Sequence, residues 1–292
     1  MKEINLTGGK KSGVLFSFGI ALYLVLSYLL LSVANAVSPA GGFISIALPS
    51  LAAPIALAAV SVYSAVTDDG LIKGLRINKC SYIFYIAALL LAVGMIFGLG
   101  FINTLISELA VKAGLNISQR EMVIDTLPKA LGYVFFLAVL PAVTEEAFFR
   151  GAFLKGLNGV PLIGKVLICG TFFAIYHCSL SQLVYQFIYG ALLALISEKS
   201  LSVIPAVLAH FINNALIITL QYFNVEIDLF NLIFIACGII AVAGSVFLTL
   251  FFSKTETEKK EKYGKEVWLT FGFGALGIGI CLAVLITNLL IK

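Results

Sequence analysis

The sequence predicts an all-α polytopic membrane protein, a bundle of about nine transmembrane helices, with eight as the alternative, built around a four-helix core. Three observations predict it. Of the 292 residues, 61% are hydrophobic and 12% charged, against roughly a quarter charged in soluble domains. Mean hydropathy is +1.07. Several charge-free windows reach about 20 residues, the length that crosses some 30 Å of hydrocarbon as a helix, and no polar segment is long enough to fold as a separate soluble domain.

Apolar runs bounded by charges place the spans near 13-37, 42-66, 82-106, 130-154, 162-179, 181-197, 201-222, 229-253 and 268-291. Eight would remain if one of the two short central runs, or the last, did not cross. The first run follows Lys2, Lys10 and Lys11 in the manner of a signal peptide, but it is longer than the apolar region of one. It is read as a span.

Between the third and fourth spans, an external segment at 107-129 mixes charges with Leu109, Val111, Leu115, Ile117, Met122, Val123 and Ile124. That pattern predicts an amphipathic helix lying along the interface. Lys254 to Lys265 reads as a solvated connector, and Tyr263 and Trp268 as interfacial anchors. Gly272, Gly274, Gly277 and Gly279 in the last span point to close helix packing.

Basic residues orient the bundle. With the N-terminus cytoplasmic, Lys2, Lys10, Lys11, Lys73, Arg76, Lys79, Arg150, Lys155, Lys165, Lys199, Lys254, Lys259, Lys260, Lys262 and Lys265 fall on the cytoplasmic side. Of the 19 Lys and Arg, that leaves Lys112, Arg120, Lys129 and Lys292 elsewhere. Such an asymmetry fits the positive-inside rule, so the net charge of +4 is a topological signal. Nucleic-acid binding is not expected. The five cysteines form no CxxC pair and read as small core residues.

Charge inside these runs is the exception that points to chemistry. Thr144-Glu145-Glu146-Ala147-Phe148-Phe149-Arg150 places two carboxylates and a guanidinium in an apolar span, and the chain's two histidines, His177 and His210, also fall inside predicted helices. Ionisable groups at membrane depth persist where they are paired, face water or do chemistry. Helical spacing lets Glu146 pair with Arg150 and leaves Glu145 on a neighbouring face, free to act as a base. His210 projects with Asn214, and Phe173 lies one turn before His177.

Counted from the flanking Lys155, Lys165 and Lys199 at 1.5 Å per residue, Glu145, His177 and His210 lie roughly 15, 18 and 16 Å deep, close to one level. Pro141 and Pro205 predict kinks just outside that layer, with a wet cavity supplying water to the freed carbonyls. Interhelical packing alone explains Asn213, Gln182 and Gln186. It does not explain two acids and both histidines at one depth.

EEAFFR at 145-150, FAIYH at 173-177 and HFINN at 210-214 resemble the ordered motifs Glu-Glu-x-x-x-Arg, Phe-x-x-x-His and His-x-x-x-Asn of the CAAX prenyl protease and bacteriocin-processing family, also called the Abi family. The likeness runs from Leu131 to Phe223 and includes Gly151 and a Phe187-x-x-Gly190 step. The resemblance implies an intramembrane endopeptidase similar to type II CAAX prenyl endopeptidases. In it Glu145 and His177 activate water, His210 and Asn214 hold the oxyanion, and Glu146, Arg150 and Phe173 complete the site.

It divides the chain into a scaffold at 1-129, a catalytic core at 130-223 and C-terminal helices at 224-292. A membrane-bound or lipidated peptide is the implied substrate; the lack of an organelle signal and the small, loop-poor design point to a bacterial cytoplasmic membrane, and the oligomeric state stays open. The label metalloprotease is preferred, while the metal itself stays open. Glu145, His177 and His210 could hold a divalent metal such as zinc with a water in the fourth position, or the glutamate could act without metal. Two other functions use the same residues. One is a bacteriocin self-immunity or regulatory protein of the same family, and the other is a proton-coupled transporter, for which no internal inverted repeat is visible.

Overall fold

A computed structural model describes residues 7–38, 42–68, 70–117, 122–253 and 263–290. It is helical throughout, with no strand among the described residues. The helices are α1 (Gly8–Val37), α2 (Phe43–Ser50), α3 (Ala52–Asp68), the short α4 (Leu71–Gly74), α5 (Tyr82–Lys112), α6 (Leu127–Gly156), α7 (Leu162–Tyr176), α8 (Leu183–Ser200), α9 (Ile204–Tyr222), α10 (Leu232–Phe251) and α11 (Tyr263–Leu290).

Every predicted span has a helical counterpart, but not all are of crossing length. Among the described residues, seven helical stretches are long and apolar enough to cross a membrane, α2 and α3 counting as one broken span. Leu162–Tyr176 has 15 residues, about 22 Å of helix, short of the ~30 Å hydrocarbon layer. With α8 it forms an antiparallel hairpin whose outer ends are joined by Lys165 Nζ to Glu198 Oε2 at 2.6 Å.

The described residues of 107–129 show no separate interfacial helix. Helix α5 continues to Lys112, and Gly114, at φ +79°, turns the chain out of the helix. Described residues of 113–126 carry no further helix before α6 opens with Pro128 in its first turn. A left-handed glycine and an N-terminal proline are strong stop and start signals, and here they outweigh the apolar periodicity. Arg120 and the basic connector 254–262 lie outside the described residues.

Close backbone approach builds the bundle. A Cβ on Gly238 of α10 would stand 2.1 Å from the backbone nitrogen of Gly98 on α5, so only glycine lets these helices meet. In α11, Gly274 and Gly277 pack under the rings of Phe172 and Phe16, while Gly272 and Gly279 face open space. The packing predicted for that span thus holds for two of its four glycines. Trp268, Leu232 and Ile233 are exposed on the outer surface, the normal place for large apolar side chains facing lipid.

Of the three buried apolar clusters among the described residues, two border the candidate site. One gathers Phe16, Phe148, Phe149, Phe153, Phe172, Phe173 and Tyr176; the other packs α5, α8 and α9 through Leu91, Met95, Tyr185, Tyr189, Leu193 and Ala209. The candidate site lies where the two meet.

Ion pairs fasten one end of the bundle. Lys11 pairs with Asp68, and Arg76 and Lys165 both pair with Glu198. Three of the basic residues assigned to one side from sequence, Lys11, Arg76 and Lys165, are engaged there. Burial alone would raise the Glu198 carboxyl, but Arg76 and Lys165 outweigh it and hold it below its ordinary value. Arg150 departs from this group, because it is fully buried within the site.

Candidate active site

Helix α6 is not a plain α-helix. It reads Leu127–Val134, a π-turn at Phe135–Val139, α-helix at Leu140–Glu146, a second π-turn at Ala147–Phe153, and a last turn at Leu154–Gly156. The acidic pair thus ends a short α-helical segment held between two wider turns. Such π insertions re-aim side chains and occur often at functional sites.

Pro141 has no N–H to give the carbonyl four residues back, that of Leu137. Asn214 Nδ2 donates to this oxygen at 3.1 Å. A side chain from α9 therefore serves the carbonyl, where the sequence suggested water. Pro205 makes no kink, since it occupies the first turn of α9, where no helical hydrogen bond is owed.

The pairing predicted at helical spacing is present. Arg150 Nη1 donates to Glu146 Oε1 at 2.8 Å with both side chains fully buried. His210 Nδ1 lies 2.8 Å from the same oxygen. An ionised carboxylate only accepts, so Nδ1 carries the proton and Nε2 is left for other work. Arg150 Nη2 donates to the carbonyl of Gly190 at 2.9 Å. A Cβ at Gly190 would stand 2.8 Å from the Phe173 ring, which is why the glycine of the α8 step matters.

Glu145 points elsewhere, as the spacing suggested, but it is not free: Tyr176 donates its hydroxyl to Glu145 Oε1 at 3.2 Å. Glu145 Oε2 is buried and has no partner among the described residues. His177 is the C-cap of α7, not an interior helical residue. Its Nδ1 is 2.7 Å from the Phe173 carbonyl, which can only accept, so Nε2 keeps its lone pair. His177 and Asn214 are half-buried, whereas Glu145, Glu146, Arg150 and His210 are buried.

One ring organises the group. Phe173 has the His177 ring at 4.7 Å, the His210 ring at 6.0 Å and the Arg150 guanidinium at 4.4 Å from its centroid. Cation–π contact of this kind helps hold a buried guanidinium. Tyr189, from the second cluster, closes on His210 at 6.2 Å. Neither Tyr176 nor Tyr189 was singled out from sequence. Tyr176 lies inside the FAIYH motif, and its place one residue before His177 was the available signal. Asn213 serves packing, donating to Tyr185 Oη at 2.9 Å.

For a divalent metal the donor chemistry is suitable: two imidazole Nε2 atoms and a carboxylate oxygen. The geometry does not match it. Among the described residues no three His, Cys, Asp or Glu side chains are grouped so as to hold a metal ion, and Glu145, His177 and His210 do not form the ligand set suggested from sequence.

Residues 127–216 are similar to the family model described as type II CAAX prenyl endopeptidase Rce1-like, and the matched segment contains all three motifs. No curated protein and no solved structure matches the chain.

Proposed function

We propose, from the similarity of residues 127–216 to a type II CAAX prenyl endopeptidase family model, that the protein is an intramembrane endopeptidase cleaving a membrane-bound or lipidated peptide. The observation that carries this reading is the Phe173 ring, against which Arg150 of the first motif, His177 of the second and His210 of the third all pack. Packing for its own sake would favour apolar side chains there, since a buried ion pair stabilises no better than an apolar replacement.

In the proposed reaction Glu145 Oε2 takes a proton from water, with the His177 Nε2 lone pair orienting it, and the hydroxide oxygen bonds to the peptide carbonyl carbon. His210 donates to the oxyanion from a protonated Nε2 while Glu146 accepts from its Nδ1. The second N–H of Asn214 is the other donor. Collapse breaks the C–N bond, and Glu145 returns its proton to the leaving amine nitrogen. One water is consumed, and a carboxylic acid and an amine are released, the acid then losing its proton to solvent. Residues 130-223 are the catalytic core in this reading, held between a scaffold at 1-129 and the helices of 224-292. The end fastened by Glu198 faces the cytoplasm of a bacterial cell.

The test is cleavage by the purified full-length chain in liposomes. A panel of peptides bearing a farnesyl or acyl anchor is supplied in water enriched in oxygen-18. The reading expects an internal cut with one heavy oxygen in the new carboxylate. Intact peptides across the panel, with the protein still folded, contradict it.

A further inference from the structure

We propose that Tyr176 is a positioning residue for Glu145, holding one carboxylate oxygen so that the other is presented to the reacting water. This rests on the endopeptidase reading and adds to it a residue that the three motifs do not require. The contact is Tyr176 Oη to Glu145 Oε1 at 3.2 Å, with both residues buried. Glu145 Oε2 has no partner among the described residues, so the two oxygens of one carboxylate are unequal, one anchored and one available.

The phenol is itself held from three sides. Its ring lies edge-on to Phe149 of α6 at 5.5 Å, packs against Tyr23 of α1 at 5.9 Å, and meets the His177 ring at 5.1 Å. Tyr176 ends α7 and His177 caps it, so a single peptide unit fixes the carboxylate's donor relative to the imidazole. Orientation of a reacting group held in this way is lost when its support is removed, even though the group itself remains. A carboxylate without its anchor turns about its last bond and spends less time facing the water.

Tyr176→Phe keeps the ring packing and deletes only the donor. The expected result is a fall in kcat of roughly 10- to 100-fold with KM within about twofold, and restoration of activity when 3-fluorotyrosine is incorporated at the same position. Infrared spectroscopy of the purified protein supplies a readout that needs no substrate. The Glu145 carboxyl band, identified by its loss in Glu145→Gln, shifts in Tyr176→Phe. Wild-type kcat in Tyr176→Phe, or an unmoved band, overturns the assignment while leaving the endopeptidase reading intact. A wild-type protein that cleaves nothing overturns that reading, and the role of Tyr176 in catalysis with it.

Discussion

Asn214 and Leu137 are joined across two helices: the amide of Asn214 donates at 3.1 Å to the Leu137 carbonyl, the acceptor that Pro141 cannot serve. One residue of the third motif thereby repairs the helix that presents the first. If the contact exists for that reason, its value depends on the proline. Asn214→Ala should lower the unfolding free energy by on the order of 1 kcal/mol, and by clearly less in a Pro141→Ala background, where the helix supplies its own N–H. Thermal unfolding in detergent of the two single variants and the double variant measures the coupling; equal losses in both backgrounds would show none.

The Glu146–Arg150 pair is fully buried, and removing one partner leaves a charge without compensation. Arg150→Met should destabilise by roughly 3–5 kcal/mol, with part of that loss recovered in Arg150→Met/Glu146→Gln. Folded yield and unfolding temperature report both. His210 shares Glu146 Oε1 with Arg150, so the double variant regains stability without regaining the site.

At the fastened end of the bundle, Arg76 and Lys165 hold the Glu198 carboxyl below its ordinary value against the effect of burial. The folded state thus prefers the ionised form. Its contribution is fully present above the unfolded-chain value, about 4.3, and is lost as pH falls through the lower folded value. The difference in unfolding temperature between wild type and Glu198→Gln should be constant near neutrality and close below roughly pH 4. A gap unchanged down to pH 3 would argue against the pairing.

Contact between α5 and α10 depends on the absence of a side chain at Gly238. Gly238→Val forces the helices apart and should cost at least 1–3 kcal/mol, whereas Gly279→Val, facing open space, should change the unfolding temperature little. Comparable losses in the two variants would mean that this interface contributes nothing specific.

Much of this was legible in the sequence because it depends on local spacing. Glu146 and Arg150 are four apart and pair; Glu145 faces away from them; apolar runs mark each helix. What escaped depends on distant partners or on single-residue changes of helical register. Hydropathy is blind to the π-turns flanking Leu140–Glu146, since one extra residue per turn leaves the composition unchanged. Pro141 announced a freed carbonyl but not that Asn214, far along the chain, would serve it. The interfacial helix was read from apolar residues, although Gly114 and Pro128 already marked the end of α5 and the start of α6. The Tyr176 contact requires knowing how α6 and α7 face one another, which no spacing within either helix encodes.

The most direct test of the account is the initial rate of peptide cleavage in proteoliposomes by wild type and Glu145→Gln, compared at equal unfolding temperature. Loss of a general base predicts a rate at least about 100-fold lower for the variant. An equal rate in the two proteins would contradict the assignment of Glu145 as the group that activates water.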